Sequence, residues 1–318
     1  MRAIHSYKFD KYRTILESLG GPAIIKPLIT IMALSAATIR RHHDDFVLIT
    51  DDIGAKLARA CNMPYSEIVS VGDEFGSHDC FWIHSKLYAY ATMDRPFVHY
   101  DTDIFLWDPL PQEFLNNDLF NFHSEAFAWP TYEQRFERLL SAGIKLPNYE
   151  ERYPANKSPI NMAIFGGHDV DTINLYGSEL LALMEDNDRF YDKSDAAVSA
   201  IETSIAYIEQ ALGSYIIQSK YEKKVTPLLK EHQVVSGQVV PGVKITHMHA
   251  LKQVAQESEN KGKGAIAHEL QAKLDKKLKE VSSDVHSAMT EFTKSEVDID
   301  TLIQEANSND SNFTNQET

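Results

Sequence analysis

Phe97-Val-His-Tyr-Asp101-Thr-Asp103-Ile-Phe-Leu-Trp107-Asp-Pro109 is the stretch on which the reading of this chain turns. Phe97 to Tyr100 suits a short strand buried on both faces, and it runs straight into two aspartates two positions apart. Alternate side chains of extended backbone share a face, so Asp101 and Asp103 are expected on one side while the apolar run behind them anchors the chain. Two carboxylates aimed at one point repel. A hard divalent cation, Mn²⁺ or Mg²⁺, removes that repulsion and takes one or two protein carboxylates together with phosphate oxygens and water. A solvated loop is the plainer reading of any Asp-x-Asp. Here, however, the pair is framed by a second apolar run, Ile104 to Trp107, which Pro109 and Pro111 close.

Working outward, short β-like runs alternate with helical stretches over the first 255 residues, the pattern of an α/β sheet with helices on its faces. Strands are expected at 3–7, 46–50, 68–71, 97–100, 118–122 and 162–165. Helices are expected from Pro27 to about His42, from Ile53 to Cys61, from Trp82 to Met93, from Asp169 to Glu185 and from Val198 to Ser219. Another is expected between Asp10 and Gly20-Gly21. Ligands of an open α/β sheet bind outside the carboxyl ends of its strands, which directs attention to strands that end in acids. Asp51-Asp52 ends one such strand, although Asp before a helix is also an ordinary N-cap.

Composition changes near residue 255. Beyond it there is no Pro, Trp or Tyr, and Phe292 and Phe313 are the only aromatics, so this part cannot build a core of its own. Apolar residues from Ile266 to Met289 recur at three- and four-residue steps, which predicts one amphipathic helix over 265–292 that needs a surface to lie against. The expected organisation is a catalytic domain over 1–255, a helical extension over 256–306 and a frayed polar tail over 307–318.

A formal net charge of −15 argues against a nucleic-acid partner, whose phosphates need clustered Lys and Arg. The longest apolar run, Pro27 to Thr38, falls short of the roughly 20 residues that cross a bilayer as a helix, so no transmembrane segment is expected. Cys61 and Cys80 supply neither a disulfide framework nor a cysteine zinc cage, and the first residues lack the apolar core of a secretory signal. A cytoplasmic location is expected.

The run from His99 to Leu110, with Trp82-x-x-x-Lys86-Leu-Tyr-Ala-Tyr90 before it, resembles the core of GT-A fold glycosyltransferases, particularly bacterial branches near capsular-polysaccharide and glycogenin-like enzymes. The resemblance implies a Rossmann-type mixed sheet flanked by helices, with a C-terminal helical tail added here. It implies that Asp101 and Asp103 hold the metal on the diphosphate of a nucleotide sugar, a UDP-sugar being the expected donor. It also implies a nucleoside site near Ser6 and Tyr7 and a basic residue, Lys86, near the acids or phosphates. Tyr7 fits base stacking or core packing, and Lys86 fits that role or a snorkelling surface position.

Further along, Pro159-Ile-Asn161-Met-Ala-Ile-Phe-Gly166-Gly167 looks like the family's sugar-contacting strand, with Asn161 and Gly166 as candidate substrate residues; a tight strand-to-helix connection explains the glycines equally well. Tyr207-Ile-Glu209-Gln210 is similar to an acidic pair lining the acceptor pocket, making Glu209 the candidate acceptor-site acid beside Gln210, against the alternative of an exposed helix glutamate. Glu125 is a further carboxylate on the sugar side. In His247-Met-His249-Ala-Leu-Lys252, strand alternation puts both histidines on one side, within reach of a metal. The family's His-x-x-Gly-x-x-Lys aligns loosely, with His247 as metal ligand and Lys252, one step off its usual place, on the phosphates.

The implied partners are a nucleotide-sugar donor and a carbohydrate or other hydroxyl acceptor, with self-association or partner docking through the 265–292 helix. Two other classes compete. A metal-dependent phosphohydrolase or nuclease also gathers carboxylates and histidines, but it usually needs more acids than one such pair. A non-catalytic sugar-binding or assembly protein would keep the fold without the reaction.

Overall fold

A computed structural model of the chain describes residues 1–9, 22–72, 83–125, 129–146, 158–187, 207–229, 243–248 and 264–294, with backbone only for 22–26, 129–130, 264–270 and 292–294. In chain order the elements are β1 (Arg2–Tyr7), α1 (Pro22–Arg40), β2 (Phe46–Thr50), α2 (Asp52–Ala60), β3 (Glu67–Ser70), α3 (His84–Thr92), β4 (Phe97–Tyr100) and β5 (Ile104–Leu106). They continue with α4 (Gln112–Leu115), β6 (Phe120–Ser124), α5 (Trp129–Ser141), β7 (Ile160–Gly167) and α6 (Val170–Glu185). A helical stretch follows in which two π-helical segments, π1 (Tyr207–Leu212) and π2 (Ile216–Lys220), flank the short α7 (Gly213–Tyr215). β8 (Thr226–Leu229), β9 (Ile245–His247), α8 (Gly264–Val281) and α9 (Ser283–Lys294) complete the set.

Among the described residues, seven strands form one mixed sheet in the order β3-β2-β1-β4-β7-β6-β8, and β5 pairs with β9 in a separate two-stranded ribbon. The pairs β3–β2, β2–β1, β1–β4 and β6–β8 are parallel, whereas β7 is antiparallel to both β4 and β6. The α/β sheet with helices on its faces is what the alternation of strand-like and helical runs predicts, and its mixed strand directions are what the family resemblance implies.

The inner strands β2, β4 and β7 are buried along their whole length and apolar nearly throughout because both faces are covered. In β2, Val47 and Ile49 enter the cluster beneath α3 and α6, while Phe46 and Leu48 enter clusters on the other face, toward α1 and α2. Asp51 caps α2 by accepting a hydrogen bond from the Gly54 N–H at 2.7 Å, the ordinary use of an acid at that position. The start of α1 differs from expectation: the helix begins at Pro22 and carries Pro27 inside it, so the ring replaces one backbone donor rather than opening the helix.

The C-terminal region also differs. In place of one helix over 265–292 there are two, broken at Ser282, whose N–H donates to Leu278 O at 2.7 Å. Their surface is the α1 side of the sheet: Leu274, Leu278, Val285 and Met289 share a buried cluster with Ile29, Met32, Ile53 and Leu57, and the Gln271 amide donates to Thr30 Oγ1 at 2.9 Å. The expected 10–20 helix and the 307–318 tail lie outside the described residues, as does 198–206 of the helix predicted over 198–219. No helix among the described residues is long and apolar enough to cross a membrane.

Candidate active site at the carboxyl edge of the sheet

Because β1, β4 and β6 run one way and β7 the other, one edge of the sheet collects the ends of β1, β4 and β6 together with the start of β7. That edge therefore receives Ser6 and Tyr7, Asp101, Glu125 and Asn161. Pairing persists one step past β4, where the Asp101 N–H donates to Ala163 O at 2.8 Å.

Asp101 to Asp103 is a turn rather than extended backbone, with the Ile104 N–H donating to Asp101 O at 3.0 Å. The expectation that strand alternation alone aligns the two acids is thus corrected. The turn sends the chain into β5, and β5 brings β9 alongside in the register Ile104↔His247. The Met248 N–H then donates to Asp103 O at 3.1 Å. Asp101, Asp103 and His247 consequently each offer one ligand atom, all within 4.8 Å of one another, and His247 Nε2 lies 3.4 Å from Asp103 Oδ1. Two carboxylate oxygens and one imidazole nitrogen, half-buried at a sheet edge, form a donor set that fits Mn²⁺ or Mg²⁺ with positions left for water or phosphate.

Behind Asp101 stands Lys86. Its helix α3 packs closely on α6: a Cβ on Gly177 would meet the Ala91 nitrogen at 2.7 Å and the Leu87 carbonyl at 2.9 Å. Only glycine permits this approach. The Lys86 ammonium lies 2.7 Å from Asp101 Oδ1 and 2.5 Å from Glu209 Oε1. Burial would lower the Lys86 pKa, but Asp101 and Glu209 outweigh it and hold the amine above its ordinary range. For Glu209, burial pushes the carboxyl up, Lys86 pulls it back, and Asp101 pushes it up again. Lys86 is therefore no snorkelling surface lysine, and Glu209, 1% exposed, is no exposed helix acid. Glu209 lies in π1, the wider helical geometry that often marks functional sites.

A second group forms around Glu125. The Asn161 amide donates to Glu125 Oε1 at 2.8 Å, and the Tyr132 hydroxyl of α5 contacts both the Glu125 carboxylate and the Gln210 amide. The β6–β7 register shifts between Asn121 and His123, an irregularity of the kind that re-aims side chains beside sites. It leaves His123 Nε2 4.0 Å from Glu125 Oε1. Phe122 meets the His247 ring edge-on at 5.7 Å between centroids, joining the two groups.

A sequence family described as a family of unknown function (DUF6734) matches residues 1–288. The chain belongs to that family. The comparison with curated proteins gave no match. Among solved structures, the chain is similar to the galactosyltransferase LgtC in complex with donor and acceptor sugar analogues, at 10% identity, 86% of this chain against 96% of that one, and a TM-score of 0.43. It is also similar to the apo form of mouse xyloside xylosyltransferase 1, at 10% identity, 78% against 97%, and a TM-score of 0.37.

In this DUF6734 member the edge brings together most of the residues that the sequence singles out. Ser6 is there, its hydroxyl 2.8 Å from His99 Nε2. Tyr7 is buried among the α1 and α2 side chains, with the Phe9 ring 5.9 Å away. Gly166 has a different role from the substrate contact expected of it. It pairs with Val98, away from the edge that carries Asp101, and a Cβ there would meet the Phe97 carbonyl at 2.1 Å. Its missing side chain serves the close β4–β7 approach. Lys252 and His249, like Trp82, lie outside the described residues. The DUF6734 match extends through α8 and into α9, so those helices belong to the family's common sequence. Tyr132 and His123 escape the sequence reading, since neither stands in a recognisable spacing and each acquires its partners only through the fold.

Proposed function

We propose that this chain is a glycosyltransferase of the GT-A type, moving a sugar from a nucleotide-diphosphate sugar, a UDP-sugar by expectation, to a hydroxyl acceptor with Mn²⁺ or Mg²⁺ held by Asp101, Asp103 and His247. The observation that carries this reading is the convergence of those three side chains at the carboxyl edge of the sheet, where α/β folds place their ligands. Such an ion, when bound, offsets negative charge on a departing diphosphate and orients the donor. It also reconciles an anionic substrate with a chain of net charge −15.

The chain's own groups divide the remaining work. Lys86 fixes the Asp101 carboxylate from behind, and Glu209 holds Lys86 in turn. Glu209, the acceptor-site acid expected from the sequence, is sealed at 1% exposure and engaged by Lys86, so it is assigned here to positioning Lys86 and not to meeting the acceptor. Asn161, Glu125 and Gln210, linked through Tyr132, present amides and a carboxylate suited to sugar hydroxyls. With its side chain 16% exposed, Glu125 is the more accessible carboxylate to receive an acceptor hydroxyl. Ser6 contributes on the nucleoside side, as does Lys252 on the phosphates.

The test is release of nucleoside diphosphate from a panel of nucleotide sugars with Mn²⁺, comparing wild type with Asp103→Ala. Release that the substitution abolishes supports transfer. Cleavage of phosphodiesters in place of nucleotide sugars, or no release and no thermal shift with any donor plus metal, would sink it.

A further inference from the structure

His247 sits on the slightest element of the site. β9 has three residues and, among the described residues, pairs only with β5, itself three residues long. A two-stranded ribbon of that length is not stable alone. What aims the imidazole must therefore lie in what grips β5 and the residues flanking His247.

β5 is gripped on both faces. Ile104 and Leu106 enter the cluster over β4 and β7, while Phe105 enters the cluster that α1 shares with α8 and α9. Trp107 and Met248 pack against that same α8–α9 cluster. Trp107 also reaches across the ribbon. Its backbone N–H donates to Lys244 O at 2.9 Å, and its indole Nε1 donates to Thr246 Oγ1 at 2.9 Å. The ring also carries Lys277 of α8, with the ammonium 5.0 Å from the ring centroid, within cation–π range. His247 is thus held from both neighbours: Thr246 by the Trp107 indole, Met248 by the Asp103 carbonyl.

We propose that Trp107, backed by α8, is a positioning residue for the metal site, fixing the His247 imidazole against the Asp101–Asp103 turn through its bond to Thr246. The C-terminal helix pair then forms the rear wall of that site. This rests on the metal-binding reading above. Groups that orient a ligand from behind typically account for about tenfold or more in metal affinity.

The test uses the full chain and Mn²⁺ alone, with affinity read from the electron paramagnetic resonance signal of free Mn²⁺ and stability from urea unfolding. Trp107→Phe keeps a ring beneath Lys277 but removes the indole donor, and Thr246→Val removes the acceptor at nearly constant shape. Each should weaken Mn²⁺ binding by about tenfold, and the double variant should lose little more, since one bond is removed either way. Ile144→Val, a buried trim on the opposite face of the sheet, should lower stability and leave Mn²⁺ affinity unchanged. If wild type binds Mn²⁺, Asp103→Ala abolishes that binding, and the Trp107 and Thr246 variants bind like wild type, the positioning role is wrong while the metal site stands. A loss that Ile144→Val reproduces at equal destabilisation overturns the role as well. Wild type that ignores Mn²⁺ overturns both.

Discussion

The Lys86 ammonium lies 2.5 Å from the Glu209 carboxylate, and both side chains are sealed from solvent at 4% and 1% exposure. Such a pair gains little over apolar packing, yet breaking it strands a buried charge. Lys86→Met should therefore cost about 3–5 kcal/mol of stability, whereas Lys86→Met combined with Glu209→Leu should recover much of that loss. Urea unfolding of the two singles and the double closes the cycle. Strictly additive losses would refute the coupling.

That pair also marks what the sequence can tell. Lys86, Asp101 and the strand between them are close in the chain, so the apolar run of β4 and the helix before it suffice to bring them near one edge. Glu209 comes from a π-helical segment far downstream, and its burial against Lys86 follows from the packing of α3, α6 and π1, which leaves no local pattern. The Asp101–Asp103 turn illustrates a different gap. Residue types and spacing suggest two converging acids correctly, but the convergence comes from the turn and the β5–β9 pairing, both set by contacts across the chain. Gly166 is open in the sequence to a substrate contact or a tight strand-to-helix connection, and the register of β4 with β7 gives it neither: it lies inside β7, where the missing Cβ lets β4 approach. Apolar spacing over 265–292 foretells a buried stripe, while the break at Ser282 and the α1 surface it covers do not follow from spacing alone.

Tyr132 is 2% exposed and ties Glu125 to Gln210. Tyr132→Phe keeps the ring and removes the shared hydroxyl, which should cost about 0.5–1.5 kcal/mol, the worth of an ordinary hydrogen bond, because Glu125 and Gln210 are only half-buried and water can take the lost place. If Glu125 and Gln210 face the acceptor, KM for the acceptor rises while Mn²⁺ affinity stays as in wild type. An unchanged acceptor KM beside the expected stability loss would reduce Tyr132 to a packing role.

Stability should fall with acid in a window set by buried histidines. His5 is fully buried, and burial, opposed in part by the negative charge of Asp103, lowers its pKa from 6.5 to about 3. The Ser35 hydroxyl donates to Ile104 O at 2.5 Å, so it accepts from His5 Nε2 at 3.3 Å and leaves Nδ1 to accept from the Tyr65 hydroxyl at 2.9 Å. The folded state thus holds a neutral imidazole, and the unfolded chain takes up a proton first. His5 contributes fully above pH 6.5, and that contribution is lost as pH falls toward 3, with a limiting slope of about 1.4 kcal/mol per pH unit. His99, lowered by burial and by Lys86, adds in the same direction. Unfolding free energy followed across this range should show a shallower slope for His5→Gln. Identical slopes would count against a neutral His5.

The helices after residue 255 invite the expectation that a chain ending there keeps its competence if they serve only association. Their packing argues otherwise. Leu278 is fully buried and Leu274 nearly so, among α1 residues such as Ile29 and Met32 that the truncation would bare to water. Leu278→Ala should cost about 2–5 kcal/mol, the range for a buried leucine whose site cannot collapse. Lys279→Ala, one residue on and exposed, should stay within about 0.5 kcal/mol of wild type. The shortened chain should unfold at lower urea and bind a hydrophobic dye before the main transition. A chain ending near 255 with the unfolding midpoint of wild type would make the helix pair an appendage, and would remove the rear wall assigned to the Trp107 side of the proposed metal site.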